Sequence, residues 1–244
     1  SDYQQYPYSY NAFLEYNYKD TSAQNRKILN NKNIRLALSL LINRPQLTKK
    51  VLGNGSLVPN GFVAKDLAAD PANGKDFASE QSVPDTVTYN EKLAKQYWNK
   101  GLKQLGVKKV SLSLLAANDD PNTSPVTQYL EAQWSKVLPG FNLSIRAIPS
   151  KASSTEADQG NFDLYLSGWG ADFNDPISFL QIPETGTAYN HGKFSSPQYD
   201  ALINKAQNQD ANNPKKRWQD LIAAAKIVNG NQNFTPLYQQ VTAY

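Results

Sequence analysis

Between residues 90 and 148 the hydrophobic pattern changes period three times, and this alternation restricts the possible folds more than any other feature of the sequence. Apolar residues recur at helical spacing over 90–105, a strand-like run covers 110–116, helical spacing returns over 125–137, and a second strand-like run covers 141–148. Helices of this length alternating with short strands predict an α/β chain, a mixed β-sheet flanked by helices on both faces. The flanking regions extend the pattern. A strand is expected over 12–18, followed by a polar stretch over 19–33 and an apolar helix over 34–43 capped by Asn33. A short helix then opens at Pro45, places Leu47, Val51 and Leu52 on one face and stops at Gly53. Residues 54–85 read as an irregular excursion, and a loop that long in a compact domain is functional or packed across another surface. A helix over 153–159, a strand over 162–167, helices over 176–181, 197–207 and 214–228, and a closing strand over 234–240 complete the reading.

At 244 residues the chain is one large domain or two small ones, with ample length for a buried core. Cys is absent, which excludes a disulfide framework, a zinc–thiolate site, an iron–sulfur cluster and a cysteine nucleophile. Met is also absent, so a processed or excised segment is expected. The net charge of +4 is spread over pairs such as Lys49-Lys50 and the triplet Lys215-Lys216-Arg217, with no aromatic-interleaved basic stripe, and no nucleic-acid partner is expected. Asn and Gln together number 43, which makes the surface amide-rich. The apolar runs at 36–42 and 221–228 are far short of the roughly 20 residues needed to cross a bilayer.

Little catalytic chemistry is available. His191 is the only histidine, no G-x-S-x-G elbow supplies a partner serine, and its Tyr-Asn-His-Gly setting reads as an exposed loop. Neither H-E-x-x-H, an EF-hand loop nor a phosphate cradle occurs, so no metal and no cofactor is expected. Two acidic clusters stand at carboxyl ends of expected strands, where ligands bind in open α/β sheets: Asp119-Asp120 after 110–116, and Asp172 with Asp175 after 162–167. Asn118 and Asp119 are therefore candidate ligand-binding residues. The run from Gly168 through Trp169, Gly170, Ala171, Asp172, Phe173, Asn174 and Asp175 to Pro176 is the most informative in the chain. Glycine on either side of Trp169 permits close approach of another backbone or a bulge, and Asp175 before Pro176 reads as a helix cap. Spacing alone leaves two roles open for Asp172: a carboxylate offered to a cation, or an Asx-turn beside a core tryptophan.

This run resembles the Gly-Trp-x-Ala-Asp-aromatic segment of the oligopeptide- and dipeptide-binding solute-binding proteins of ABC transporters. Three further stretches agree in the same order: Asn33 to Arg44 with Leu52-Gly53 and Pro59-Asn60-Gly61-Phe62 after it, Phe194 to Ile203, and Thr235-Pro236-Leu237-Tyr238. The resemblance covers residues 12–240, with Asn43 where the family has Asp. It implies one C-terminal ligand-binding lobe (1–244) of a two-lobed, type II periplasmic-binding-protein-like fold, with hinge strands near 12–18 and 234–244. It also implies that Gly168, Trp169, Gly170 and Ala171 line a site for extended oligopeptides, and that Asp172 accepts the peptide's α-ammonium group. The implied partners are the peptide, the permease subunits and the N-terminal lobe; the implied state is a monomer without catalysis, extracytoplasmic, periplasmic or lipid-anchored. The alternatives are the same fold holding an oligosaccharide, and a carboxylate hydrolase using Asp119 or Asp172.

Overall fold

The computed structural model describes residues 8–242. Five strands form one sheet in the order β3-β2-β4-β1-β5, with β1 Tyr8–Tyr16, β2 Val110–Ala117, β3 Phe141–Ile148, β4 Leu164–Gly170 and β5 Phe234–Thr242. β2 runs parallel to β3 and β4, while β1 runs antiparallel to β4 and β5. The expected mixed sheet flanked by helices is thus present. Its strands alternate sides as period two requires: Ala12, Leu14 and Tyr16 enter one core and Phe13 the other.

On the first face lie α1 (Ala23–Asn30), α2 (Lys32–Leu40), α5 (Glu91–Leu105) and α6 (Thr123–Val137). Trp98 and Trp134 are fully buried there, each edge-on to Phe141 at 5.7 Å. Each indole N–H reaches a backbone carbonyl, Pro139 at 3.1 Å and Leu38 at 3.0 Å, so neither large ring leaves a polar atom unmet. On the second face α7 (Ser150–Asp158) covers β2 and β4, and α8 (Ile177–Leu180), α9 (Pro197–Gln207) and α10 (Pro214–Gly230) cover β1 and β5. Phe13, Phe62, Phe179 and Phe234 make a cluster of edge-to-face and tilted rings under them.

The boundaries differ from expectation in several places; β1 runs over Tyr8–Tyr16 instead of 12–18, and α7 starts at Ser150 instead of 153. The polar stretch before residue 34 contains α1, a helix that buries only Ile28 and Leu29 and is started by the Ser22 side chain. α2 is capped by Asn31, whose carboxamide accepts from the N–H groups of Asn33 and Ile34, so Asn33 lies inside the helix. The next helical segment opens as α3 (Arg44–Gln46), widens to a π-helix over Leu47–Leu52 and ends at Gly53, φ 57°. β4 runs on through Gly170 because β1 pairs with it that far, Tyr10 opposite Gly170. The long excursion holds one short turn, α4 (Phe77–Glu80), and packs across the sheet: Leu57 bridges Gln239, and the Gln239 side chain bonds the backbone of Lys65 at both ends. The stretches near 12–18 and 234–244 fall largely in β1 and β5, which pair with each other; residues 1–7 and 243–244 lie outside the described residues.

Candidate functional site

The site originates where two strands part. β2 and β4 pair only at Leu114 with Leu164 and Leu115 with Tyr165, while β2 continues beside β3 to Ala117. From β2 the chain passes through α6 to β3 on one side and then returns through α7 to β4 on the other, so β2 is the point at which the winding reverses. A crevice at the carboxyl ends of strands flanking such a point is where open α/β sheets take ligands. Here it is a cleft of about 270 Å3, walled by Ala117 and Asp120 after β2, serines of α7, Leu166 to Gly168 of β4, Tyr10 and Tyr238 from β1 and β5, and Tyr189 with His191 from the loop before α9. β4 from Leu166 to Gly170 consequently has a strand neighbour on one side only.

Gly168 is required for a reason the sequence did not show. A Cβ there would strike the ring and hydroxyl of Tyr10 on β1, so a side chain, rather than a backbone, makes the close approach. Trp169 is half-buried. Its ring leans on Tyr189 at 4.7 Å, and its N–H donates to the Ser178 hydroxyl at 3.4 Å. The same hydroxyl accepts from the Asp172 N–H at 3.1 Å, fixing the turn after β4 to the start of α8. Ala171 extends the ladder by donating to the Ser9 carbonyl.

Asp172 is exposed, and among the described residues its carboxylate has no hydrogen-bond or ion-pair partner, so it makes no Asx-turn. Asp175 makes one instead. Its Oδ1 accepts from the Ile177 N–H at 2.9 Å, although the cap position of α8 is Pro176 rather than the expected Asp175, and both oxygens take the Arg217 guanidinium at 2.8 and 2.9 Å. Phe173, 48% exposed, stands beside the free carboxylate.

At the end of β2 the two candidates divide. Asn118 donates its backbone N–H to Ile148, and its side chain is exposed. Asp119 turns to the first residue of α7, accepting from the Ser150 hydroxyl at 2.6 Å and its N–H at 3.3 Å. Those bonds hold its carboxyl below the usual range, the reverse of what a general acid needs. Asp120, the next residue, lines the cleft.

His191 is not an exposed loop residue. Its Nδ1 lies 2.7 Å from Glu15 Oε2, its backbone N–H donates to Glu15 Oε1 at 3.0 Å, and its Nε2 is 3.5 Å from Asp158. Burial works against the imidazolium, yet Glu15 and then Asp158 outweigh it and raise the pKa above the ordinary value. The cleft tyrosines Tyr10, Tyr189 and Tyr238 were invisible to sequence reasoning, because a tyrosine in a strand has the same pattern whether it fills a core or lines a site.

A parted parallel pair with an open strand edge, in a five-stranded mixed sheet flanked by helices, matches the type II periplasmic-binding fold. The chain belongs to the bacterial extracellular solute-binding proteins of family 5, whose middle-region model matches residues 1–191. That family is one of solute-binding proteins, not of enzymes. The dipeptide-binding protein of Lactococcus lactis subsp. cremoris is 38% identical over 80% of this chain and 35% of its own length. The periplasmic murein peptide-binding protein MppA of Escherichia coli is 29% identical over 84% of this chain and 36% of its own. The chain thus spans little more than a third of these curated relatives. Among solved structures, the peptide-binding protein of a peptide ABC transporter superposes with a TM-score of 0.87 at 32% identity, covering 95% of this chain and 99% of its own. The pheromone receptor PrgZ, solved for its mode of peptide binding, gives 0.84 at 34%, covering 97% and 44%.

Proposed function

We propose that this chain is the C-terminal lobe of a two-lobed protein that binds extended oligopeptides and delivers them to an ABC transporter permease, without chemistry of its own. The observation that carries the reading is the open edge of β4 beside an unpartnered carboxylate, Asp172. An extended peptide laid along Leu166–Gly170 finds the main-chain donors and acceptors that a missing strand would have used, which gives affinity independent of sequence. Asp172 then accepts the peptide's α-ammonium group. Closure of the N-terminal lobe over the cleft excludes water, and a charge-assisted bond in that setting contributes about 1.5–3 kcal/mol. Trp169 and Phe173 supply apolar walls. The start of β1 and the end of β5 are paired, Tyr8 opposite Thr242, at the carboxyl-end side of β4 where the cleft opens, which is where a second lobe would join. The protein would act outside the cytoplasm, a reading that the family description and the periplasmic relative support, and it would do so as a monomer, periplasmic or lipid-anchored.

Calorimetry on the full two-lobed protein tests this with a short peptide and its N-acetylated twin. The free amine should bind at least about tenfold tighter, the equivalent of 1.4 kcal/mol, and Asp172→Asn should bring the ratio close to one. Equal affinities in the unaltered protein would remove Asp172 from its role. A slow appearance of cleavage products would favour the carboxylate hydrolase instead.

A further inference from the structure

The cleft between the parted strands has an electrostatic asymmetry that bears on which peptides it accepts. Among the described residues no lysine or arginine lines it. Its one histidine is already committed, with Nδ1 on Glu15 at 2.7 Å and Nε2 3.5 Å from Asp158, so its charge is matched twice over. Lys193 acts on that histidine but is not part of the cleft wall. Asp120 is the exception. Its Oδ1 accepts from the Asn122 N–H at 2.8 Å, and among the described residues the carboxylate has no cationic partner. The Tyr238 hydroxyl, which meets the Asn122 side chain two residues on from Asp120, is pushed up to about 12, by burial first and by Asp120 second. The remaining polar lining is hydroxyl, including Ser154, Ser167, Tyr165 and Tyr189, groups whose oxygens accept from an ammonium or guanidinium.

We infer that this cleft receives a positively charged side chain of the bound peptide and turns away acidic ones, with Asp120 as the residue that sets the preference. The inference rests on the peptide-binding reading and adds a side-chain class to it. A carboxylate drawn from water into the cleft meets one like charge, Asp120, and no cation other than His191, which is already paired with Glu15 and Asp158. A lysine or arginine head meets Asp120 and the hydroxyls, with its stem along Ala117 and Leu166. At about 270 Å3 the cleft holds roughly nine waters of about 30 Å3 each, room for a long side chain with solvent around its head.

The test uses the full two-lobed protein and alanine pentapeptides carrying Lys, Gln or Glu at each position in turn. At one position Lys should bind about fivefold tighter than Gln, the size of an ion pair at a partly exposed site, and Glu weaker than either. Asp120→Asn keeps the oxygen that accepts from Asn122 and should bring the Lys-to-Gln ratio at that position to one. Ser154→Lys places a cation on the exposed α7 rim of the cleft and should turn the preference toward Glu, whether or not the first variant folds well. Uniform affinity at all positions, or a lysine preference that survives Asp120→Asn, would overturn the inference while leaving peptide binding intact. Failure of every pentapeptide, the all-alanine one included, would overturn the peptide reading itself and this inference with it.

Discussion

Asp20 is 3% exposed at the end of the sheet opposite the cleft, and its Oδ1 accepts from the Ser22 N–H at 2.9 Å. Its other oxygen is buried without a hydrogen-bond partner and faces Asp163, a carboxylate that already accepts from the Ser113 N–H at 2.8 Å and its hydroxyl at 3.2 Å. Burial first, and Asp163 second, raise Asp20 to about 7 from 3.8. A folded-state value above the unfolded one means stability is fully present below pH 3.8 and is lost as pH rises through about 7. Asp20→Asn keeps the acceptor and carries no charge to repel Asp163 at any pH. The variant should therefore be more stable than the parent at pH 8 by at least about 1 kcal/mol, with the gap closing by pH 4, in urea titrations at both values. A constant gap would dismiss the raised Asp20. Residue-scale features of this kind are the least legible in a sequence. Asp172 was legible because it sits in a run of unusual neighbours, Gly-Trp-Gly-Ala before it. The Glu15–His191 pair was not, since its partners are 176 positions apart and neither is marked locally.

At the scale of elements, the loop between α8 and α9 determines the shape of the cleft wall. Asn190 is buried and bonds the Phe194 backbone in both directions, while Gly192 accepts from the Tyr18 N–H at 2.9 Å. A Cβ on Gly192 would strike the Tyr16 carbonyl, so the loop lies on β1 only with glycine there. Gly192→Ala should lift the loop, separate His191 from Glu15 and Tyr189 from Trp169, and cost about 1–2 kcal/mol. Thermal unfolding checks the stability, and a several-fold weaker peptide affinity in calorimetry checks the wall. The elements best read from sequence were those whose own pattern decides them: α5 with Asn90 as its cap and Gly106 as its stop, and β3 at 141–148. α1 was missed because a helix with two buried side chains has almost no apolar period. β4 was read three residues short because Gly-Trp-Gly carries no strand signal, and pairing with β1 supplies what the local sequence lacks.

For the whole molecule, the side chain with the widest reach is Arg44. It is fully buried and donates to Pro236 O of β5 at 2.8 Å, to Val87 O before α5 at 2.6 Å and to the Ser39 carbonyl and hydroxyl of α2 at 3.1 and 3.0 Å. Burial opposes its charge and lowers its pKa to about 9, and the carbonyls supply the hydrogen bonds that a buried guanidinium needs. Arg44→Leu should cost about 3 kcal/mol or more, since carbonyls from three segments lose their donor at about 1–3 kcal/mol each. Arg44→Lys should recover less than half of it, because an ammonium cannot fork to all of them; urea midpoints of the two variants decide. A lysine variant as stable as the parent would show that the planar donor set is dispensable.

The pairing of Tyr8 with Thr242 also has an evolutionary meaning. A unit entered and left through two adjacent strands opens only a narrow gap in whatever chain hosts it. Neighbouring entry and exit points are the condition under which domain insertion and circular permutation are tolerated. On the two-lobed reading proposed above, the five-stranded unit would meet that condition, with selection left to act on the handful of side chains around the parted strands.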